Sequence, residues 1–428
     1  MPDATIAART HDLTVGPARV LALPTPVQDV VSFRGSFATG PDLGADDDIP
    51  QGLVADLLDK GTSTRDRFEI AEDLEGRGAR LGFYSDGLRM GFAGRCLRAD
   101  LPDVLTLAGE QLRTPAFDPD EVRKAVVKAV ASVRRSLDST GARASGTLRR
   151  RLYPADHPNF ALDPHDEIAR LEAVTVDVLR AYHDEHVAPD GMMVALVGDL
   201  DDALAGDAVR GALGDWQGAA PEPAYAAEAA PSEPGHETVV LQDRPNLDVR
   251  MGHAVPIRRD ADDFLALYAA VFALGGNFSG HLMQTIRDEQ GLTYGISAGI
   301  VDPSVHHDAH LHVAVTLSAP DLDRGIAATR AEVARFVAGG LSEDTLDRTR
   351  RTLAGRHVVG LATTGGLAAR LLVNTERGFG LDYLDRYTDR IDALRLDDVN
   401  AALRRYLQPE ALHVVAAGTP AESEAAVS

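Results

Sequence analysis

Hydrophobic and polar residues along this chain follow two different periods. Alternation with a period of two, typical of strands, occurs in residues 31–37 and again in 249–255. Apolar residues spaced as on one face of a helix occupy 101–112, and a longer helix is predicted from 119 to about 137. Residues 264–274 form an uninterrupted apolar segment that predicts a further helix. Each half therefore contains both a predicted strand and a predicted helix, so the pattern predicts an α+β fold.

The second half of the chain repeats the plan of the first half. Residues 70–85 and 285–298 each predict a helix, a glycine turn and a strand, in that order. Residues 179–199 and 403–419 each predict the end of a helix followed by a short buried strand. The correspondence is loose, but its order is the same in both halves. We therefore predict two similar α+β domains.

A segment without periodicity separates the two halves. Residues 217–235 are rich in Ala, Pro and Glu, a composition typical of a semi-extended linker of limited flexibility. The predicted organisation is an N-terminal domain over 1–216, a linker over 217–235 and a C-terminal domain over 236–428.

Length and charge narrow the possible functions. A chain of 428 residues exceeds one ordinary domain and predicts two or more cores. Its 65 acidic and 43 basic residues give a formal net charge of −22. This balance argues against a nucleic-acid-binding protein, which needs a basic face. We interpret the acidic surface as one that maintains solubility.

Cysteine content and hydropathy indicate the compartment. Cys96 is the only cysteine and cannot form an internal disulfide, which suits a reducing cytoplasm. Residues 1–20 lack the basic and apolar regions of a signal peptide. No apolar segment approaches the roughly 20 residues that span a bilayer. We expect a cytoplasmic protein without a membrane partner.

The segment 274–299 carries the candidate chemistry. Gly275 and Gly276 end the apolar helix before them, because glycine adopts backbone angles that other residues avoid. Ser279 can cap the next helix through its hydroxyl. Alternation over 292–300 then predicts a strand.

Two side chains of this segment can bind a peptide carbonyl. Arg287 lies near the predicted helix end, and Tyr294 lies just inside the predicted strand. Held together over a cleft, a guanidinium and a phenol can stabilise the charge that forms on a carbonyl oxygen in a tetrahedral intermediate. The alternative is a solvated arginine at a helix C-terminus and a half-buried strand tyrosine. Spacing alone favours this alternative.

A family resemblance favours the carbonyl-binding role of Arg287 and Tyr294 over the structural alternative. The segment resembles the C-terminal domain of pitrilysin/insulinase-type (inverzincin) zinc peptidases, in which L-G-G-x-x-S precedes x-x-I-R-x-x-x-G-L-x-Y. Arg287 and Tyr294 fall on the Arg/Tyr pair of that family, which contacts substrate opposite the zinc. The resemblance implies antiparallel sheets flanked by helices and a clam-shell assembly of two chains. It also implies a substrate-binding loop at Gly275, Gly276, Asn277 and Ser279.

The metal motif of the resembled family is missing. Active members carry His-x-x-Glu-His just ahead of a turn that corresponds here to residues 60–62. Counting back from that turn, the first histidine would fall on Gly52, the glutamate on Ala55 and the second histidine on Asp56. The position of a third ligand, near residues 131–132, also lacks a carboxylate, and no displaced copy of the motif occurs elsewhere. We expect no metal in this chain.

The remaining histidines have weaker metal-binding potential. His306, His310 and His312 alternate as on one strand face, although the run follows turn residues and is expected to begin as a hairpin loop. His183 and His186 are one helical turn apart, and we predict an exposed helix end for the first and packing for the second. His157 is expected to be structural.

The resemblance leaves three hypotheses. In the first, the chain is the non-metal-binding subunit of a two-chain zinc peptidase, inactive alone, and a homologous partner with His-x-x-Glu-His supplies zinc and the general base. In the second, it is a non-catalytic homodimer that binds or scaffolds peptides. The third, a metal enzyme built on His306, His310 and His312, is favoured least. The expected substrate is a peptide such as a leader or precursor segment, and no residue specifies it.

Overall fold

The computed structural model describes residues 5–39, 48–221, 226–230, 234–301 and 303–421. Their strands are β1 (His11–Val15), β2 (Ala18–Pro24), β3 (Val30–Ala38), β4 (Arg80–Ser85), β5 (Arg89–Leu97), β6 (Met193–Gly198), β7 (Gly235–Val240), β8 (Asn246–Val255), β9 (Ile296–Val301), β10 (Ala309–Ser318) and β11 (His413–Gly418). Their α-helices are α1 (Ile6–Arg9), α2 (Asp48–Leu57), α3 (Arg67–Gly76), α4 (Leu101–Arg113), α5 (Pro119–Leu137), α6 (Thr140–Leu152), α7 (Pro164–Glu172), α8 (Val176–His186), α9 (Asp202–Leu213), α10 (Phe264–Gly275), α11 (Leu322–Gly339), α12 (Glu343–Gly360), α13 (Thr364–Glu376), α14 (Tyr383–Asp392) and α15 (Leu396–Tyr406).

Two sheets with flanking helices confirm the predicted α+β class. One sheet has the strand order β1-β2-β6-β3-β5-β4 and the other has the order β7-β11-β8-β10-β9. Apart from β1, the two orders correspond strand for strand, as the internal repeat predicts. Each sheet is mostly antiparallel but contains one parallel pair, β2 with β6 and β7 with β11.

The compact units interleave along the chain. Unit 1 comprises Met1–Val130, Ala169–Tyr225 and Gly355–Thr388, and unit 2 comprises Ala131–Ile168, Ala226–Ala354 and Asp389–Ser428. The predicted division into 1–216, 217–235 and 236–428 is contiguous and therefore differs from these units. Of the predicted linker, residues 222–225 and 231–233 lie outside the described residues. Residues 226–230 belong to unit 2, where the Ala230 amide donates to the Leu152 carbonyl at 2.9 Å.

Strand β3 shows how a distant segment changes burial. Its alternation predicts a half-buried strand, yet Ser32 and Ser36 are buried together with Phe33 and Phe37 on the opposite face. The additional burial comes from α13, which packs on β3 and β6, and the Thr364 hydroxyl lies 2.8 Å from the Ser32 hydroxyl. A strand covered on both faces loses the polar side that its pattern indicates.

In unit 2, helix α6 covers the sheet in the way that α13 covers the sheet of unit 1. Helix α6 packs on β8 and β11, where Leu148 and Leu152 contact Val415 and Ala417. The other face of the sheet packs against α10, α11 and α15 in a large apolar core. The sheet of unit 2 therefore has one face in the core and one face that α6 covers.

Equivalent glycines end the equivalent strands of the two halves. Gly198 ends β6 and Gly418 ends β11, and both have a φ of 150°. A Cβ on Gly198 would lie 2.1 Å from the Val30 carbonyl oxygen, and one on Gly418 would lie 2.8 Å from the Leu247 side chain. Only glycine fits at either position, which explains why the repeat preserves it.

Among the described residues, no single helix is long and apolar enough to cross a bilayer, whereas the bent pair of α12 and α13 meets the length and composition requirement when the two are counted together.

Candidate functional site

The segment that carries Arg287 is a π-helix over Met283–Glu289. Its Met283, Thr285 and Ile286 side chains are buried. Gly291 follows with a φ of 62°, so the glycine turn predicted within residues 285–298 is confirmed. The wider π-helical winding was not predicted, and such turns are frequent at functional sites.

Arg287 is partly exposed and only weakly engaged. Its side chain is 33% exposed, and its Nη1 donates to Asp288 at 2.8 Å. The guanidinium carbon lies 4.8 Å from the ring centroid of Phe278, which is a cation–π distance. An exposed ion pair to the adjacent residue is worth less than about 1 kcal/mol, so a substrate carbonyl can compete for this guanidinium.

Tyr294 lies in a loop, and its predicted place inside the strand is wrong. Strand β9 begins only at Ile296, and the Tyr294 side chain is fully exposed. The hydroxyl of Thr293 explains the loop, because it donates to the Thr316 carbonyl at 2.7 Å and accepts from the Gly295 amide at 3.1 Å. These bonds fix the backbone on both sides of Tyr294 and leave its phenol free for a ligand.

A groove of about 490 Å³ in unit 2 lies beside this loop. Asp248, Arg250 and Thr316 line it from β8 and β10, and Thr316 is the register partner of Asp248. Phe278, 71% exposed, and Tyr294 add aromatic rings to the lining. Polar groups beside exposed rings suit an extended peptide, which needs partners for its amides and contacts for its side chains.

The charged groups of the groove are already paired. Asp248 accepts from the hydroxyls of Thr140 and Thr316 at 2.5 and 2.8 Å, and Arg250 donates to it at 3.5 Å. Burial alone would raise the pKa of Asp248, but these hydroxyl bonds and the Arg250 charge lower it below its ordinary value. Arg250 also donates to Ser145 at 3.1 Å. The groove therefore contains an ionised Asp248 whose charge is compensated by Arg250.

The predicted substrate-binding loop is only partly at the groove. Gly275, Gly276 and Asn277 line it, whereas Ser279 does not. The predicted cap is wrong, because the Ser279 hydroxyl donates to the Asn277 side chain at 2.9 Å and the π-helix begins after Leu282. Arg287 also lies outside the lining and reaches the groove only through its contact with Phe278.

Gly275 is required by close packing. A Cβ at this position would lie 2.5 Å from the Ala298 amide nitrogen, so Gly275→Ala must separate α10 from β9. We expect a loss of about 1–3 kcal/mol in the free energy of unfolding, measured by urea denaturation. Gly299→Ala is the matched control in β9, because its added methyl meets nothing within 4 Å. Equal stability of the two variants would contradict this role of Gly275.

A buried carboxylate fixes the start of the Arg287 segment. Glu332 on α11 is 3% exposed, and its Oε2 lies 3.0 Å from His281 Nε2. Its other oxygen pairs with Arg335. The His281 ring also lies 5.0 Å from the ring of Phe336. Helix α11 thereby positions the segment from a separation of 51 residues, which no local pattern indicates.

The positions of the missing metal motif do not fit a metal. Gly52, Ala55 and Asp56 lie on α2, where glycine and alanine offer no side-chain ligand atom. The carboxylate of Asp56 is exposed and lies 3.7 Å from Lys128 Nζ. Across the described ranges, no group of three His, Cys, Asp or Glu side chains could hold a metal ion.

His310 and His312 share one face of β10 as predicted, whereas His306 lies outside the strand. His306 precedes β10, so the hairpin-loop expectation is confirmed. His310 is 1% exposed, and its Nδ1 lies 2.9 Å from the Tyr153 hydroxyl, while the His312 ring lies 5.8 Å from the His310 ring. His310 is therefore a buried hydrogen-bonding residue.

His157 belongs to the same buried network, and its structural role is confirmed. Its Nε2 lies 3.1 Å from Asp308 Oδ1, and its Nδ1 accepts from the Asn159 amide at 2.9 Å. The other oxygen of Asp308 accepts from the Ala229 amide at 2.9 Å. The network ties part of the predicted linker to the start of β10.

Burial of His310 predicts a pH dependence of stability. Burial chiefly, together with the neighbouring His312, lowers the pKa of His310 from 6.5 to about 3. A depressed pKa means that stability is complete above pH 6.5 and is lost as the pH falls towards 3. Between pH 6 and 5 this residue is expected to contribute a slope of up to about 1.4 kcal/mol per pH unit.

His310→Gln should remove that part of the slope in urea denaturation at pH 7, 6 and 5. Wild-type protein and variant with the same slope over this range would contradict the expectation.

The second histidine pair of the sequence is not a metal site either. His183 is buried, not exposed as predicted, and its Nε2 lies 2.8 Å from the Leu112 carbonyl oxygen. His186 packs as predicted, with its ring 4.5 Å from that of Tyr182.

Known proteins resemble this chain in sequence and fold. The family model described as "Peptidase M16 inactive domain" matches residues 173–353. An uncharacterized zinc protease of Streptomyces coelicolor is 24% identical over 95% of this chain and 92% of its own length. A protein of Helicobacter pylori named non-peptidase homolog YmxG is 22% identical over 83% of this chain and 81% of its own length.

Solved structures agree on the fold. The M16 inactive domain from Pseudomonas fluorescens matches 97% of this chain and 99% of its own, with a TM-score of 0.86 and 23% identity. The periplasmic protease PqqL from Escherichia coli matches 98% of this chain but only 46% of its own, with a TM-score of 0.79 and 14% identity.

The two repeated sheets with their flanking helices have the fold of these solved structures. The match to the family model of the M16 inactive domain covers residues 173–353, and the relatives named zinc protease or non-peptidase homolog are similar over most of the chain. The resemblance carried by the motif around Arg287 and Tyr294 is thereby confirmed at the level of the family.

Proposed function

We propose that this chain is the non-metal-binding subunit of a two-chain zinc peptidase. The observation that carries the proposal is the contrast between two sites of the same chain. The groove beside Tyr294 is lined by polar groups and exposed aromatic rings, whereas Gly52 and Ala55 occupy the places of the first metal-binding histidine and of the general base. A chain with the first site and without the second is suited to binding a substrate that another chain cleaves.

Arg287 and Tyr294 have separate tasks in this proposal. The Tyr294 phenol is fully exposed on a fixed loop and donates to the carbonyl of a peptide in the groove. Arg287 leaves its exposed bond to Asp288 and donates to the same carbonyl or to the oxyanion that develops from it. Phe278 holds the guanidinium beside the groove. Gly275, Gly276 and Asn277 supply a close approach for the peptide backbone.

The partner in this proposal is a homologous chain with an intact His-x-x-Glu-His motif. That chain would hold zinc and the general base, the groups that the present chain lacks. The match to under half of PqqL supports pairing, because that protein has about twice the length of this chain in one polypeptide. The proposed pair works in the cytoplasm, the compartment that a single cysteine suits.

Purification from the native host tests the pairing. We expect a homologous chain with His-x-x-Glu-His to co-purify and to be identified by mass spectrometry. The reconstituted pair should cleave unfolded peptides, such as leader or precursor segments, at rates that neither chain reaches alone. A chain that purifies without any homologous partner, and stays inactive with every such chain of its host, would contradict the proposal.

A second function is a homodimeric peptide-binding or scaffold protein of the same fold. The likeness over 83% of this chain to a protein named non-peptidase homolog favours it. Native mass spectrometry separates the two functions, because the scaffold predicts two identical chains and bound peptide that remains intact.

A further inference from the structure

A second cavity of unit 2, which we call the basic cavity, has a volume of about 490 Å³. It lies between α6, the edge strand β7 and the segment that precedes α7. Its charged lining residues are Arg143, Arg150, Arg151, Asp163 and Glu237. Three guanidinium groups therefore share the cavity with two carboxylates, and this excess of positive charge favours binding of an anion.

The two carboxylates are already occupied. Arg151 pairs with Glu237 at 2.7 Å. Asp163 accepts from the His165 amide at 2.9 Å and lies 3.9 Å from Arg150. Neither carboxylate is left to neutralise the third guanidinium.

Arg150 is held by hydrogen bonds to one backbone carbonyl and one side-chain hydroxyl. Its Nη1 donates to the Leu162 carbonyl at 3.0 Å, and its Nη2 donates to the Thr147 hydroxyl at 3.0 Å. The pKa of Arg150 is lowered from its ordinary value chiefly by burial; the charges of Asp163 and Glu237 oppose this shift, and those of Arg143 and Arg151 add to it. The three guanidinium groups therefore repel one another across the cavity.

Arg143 is the group without a counter-charge. Over the described ranges its guanidinium makes neither a hydrogen bond nor an ion pair, and its Nη1 is buried without an acceptor. An unpaired donor of a charged group in a buried position is costly, and an oxyanion would satisfy it.

We propose that the basic cavity binds an oxyanion, a phosphate or a carboxylate, through Arg143 with Arg150 beside it. Guanidinium forks match the paired oxygens of both groups. The cavity is much larger than a single phosphate ion, so the oxyanion belongs to a larger molecule. This site is independent of the groove and of the proposed pairing.

Calorimetric titration of the full chain alone tests this site. One arm uses inorganic phosphate, and the other compares a peptide with a free C-terminal carboxylate with the same peptide amidated. Saturable binding of phosphate, or of the carboxylate peptide in preference to its amide, supports the proposal and identifies the source of the oxyanion.

Arg143→Gln removes no hydrogen bond and is expected to weaken that binding by about tenfold or more, while the melting temperature stays close to that of the wild type. Arg180→Gln, an exposed arginine on α8, removes the same charge and is the control. Absence of saturable binding in both arms, or equal affinity of wild type and Arg143→Gln, would overturn the proposal. Because no partner chain is present, these results are separate from the test of the peptidase pair.

Discussion

Arg287→Ala, assayed in the assembled pair, is expected to lower the turnover of a peptide substrate by about a hundredfold or more. The reason is the loss of a preorganised donor to the developing oxyanion, which typically costs about 3 kcal/mol of transition-state stabilisation. The same measurement on Tyr294→Phe, which removes only the hydroxyl, should show a loss of similar kind. The measurement is the steady-state rate at saturating substrate, with the amount of assembled pair determined in parallel.

Arg324→Ala is the control for this experiment. Arg324 is an exposed arginine on α11 that lies 3.8 Å from Asp321, so its loss removes a charge from the same unit outside the groove. Its turnover should equal that of the wild type. Wild-type rates from Arg287→Ala and Tyr294→Phe in an intact pair would remove both residues from the mechanism.

Asp308→Ala is expected to lower the free energy of unfolding by about 2–6 kcal/mol, because two buried donors lose their acceptor and each such loss costs about 1–3 kcal/mol. Asp308 is 5% exposed and His157 is 1% exposed, so water does not replace the carboxylate as hydrogen-bond partner of the imidazole. The Ala229 amide loses its acceptor in the same step. Urea denaturation monitored by circular dichroism measures the difference.

Asp323→Ala provides the comparison, because Asp323 is exposed on α11 in the same unit. Its cost should stay below about 1 kcal/mol, the range of a charge near a helix N-terminus. A loss from Asp308→Ala no larger than that of Asp323→Ala would show that the buried network does not stabilise unit 2.

Local patterns in the sequence predict much of the fold. The apolar segment 264–274 predicts a helix, and the structure has α10 there. The internal repeat predicts two similar domains, and the structure has two sheets whose strand orders correspond. The strand over 292–300 begins later than predicted, because Thr293 bonds to the backbone around Tyr294 and stabilises a turn instead. Strand propensity alone does not account for hydrogen bonds between the Thr293 side chain and the backbone, which compete with strand pairing.

Long-range contacts were beyond local patterns. The amphipathic patterns of α6 and α13 show that each helix needs a sheet, but not which one. The pair of His157 and Asp308 joins residues 151 apart, and only the folded chain brings them together. The sequence analysis did not identify Phe278 as a groove residue. Its position in a glycine-rich loop could have indicated an exposed ring, because such a loop has few apolar neighbours to bury it.

Peptide cleavage and zinc content of the purified chain alone test the central claim most directly. The chain should be incubated with zinc, freed of loosely bound metal, analysed by mass spectrometry for zinc, and assayed against unfolded peptides. We expect no stoichiometric zinc and no cleavage above the background of a heat-inactivated sample. One zinc per chain with full-rate hydrolysis by this chain alone would contradict the division of labour between two subunits.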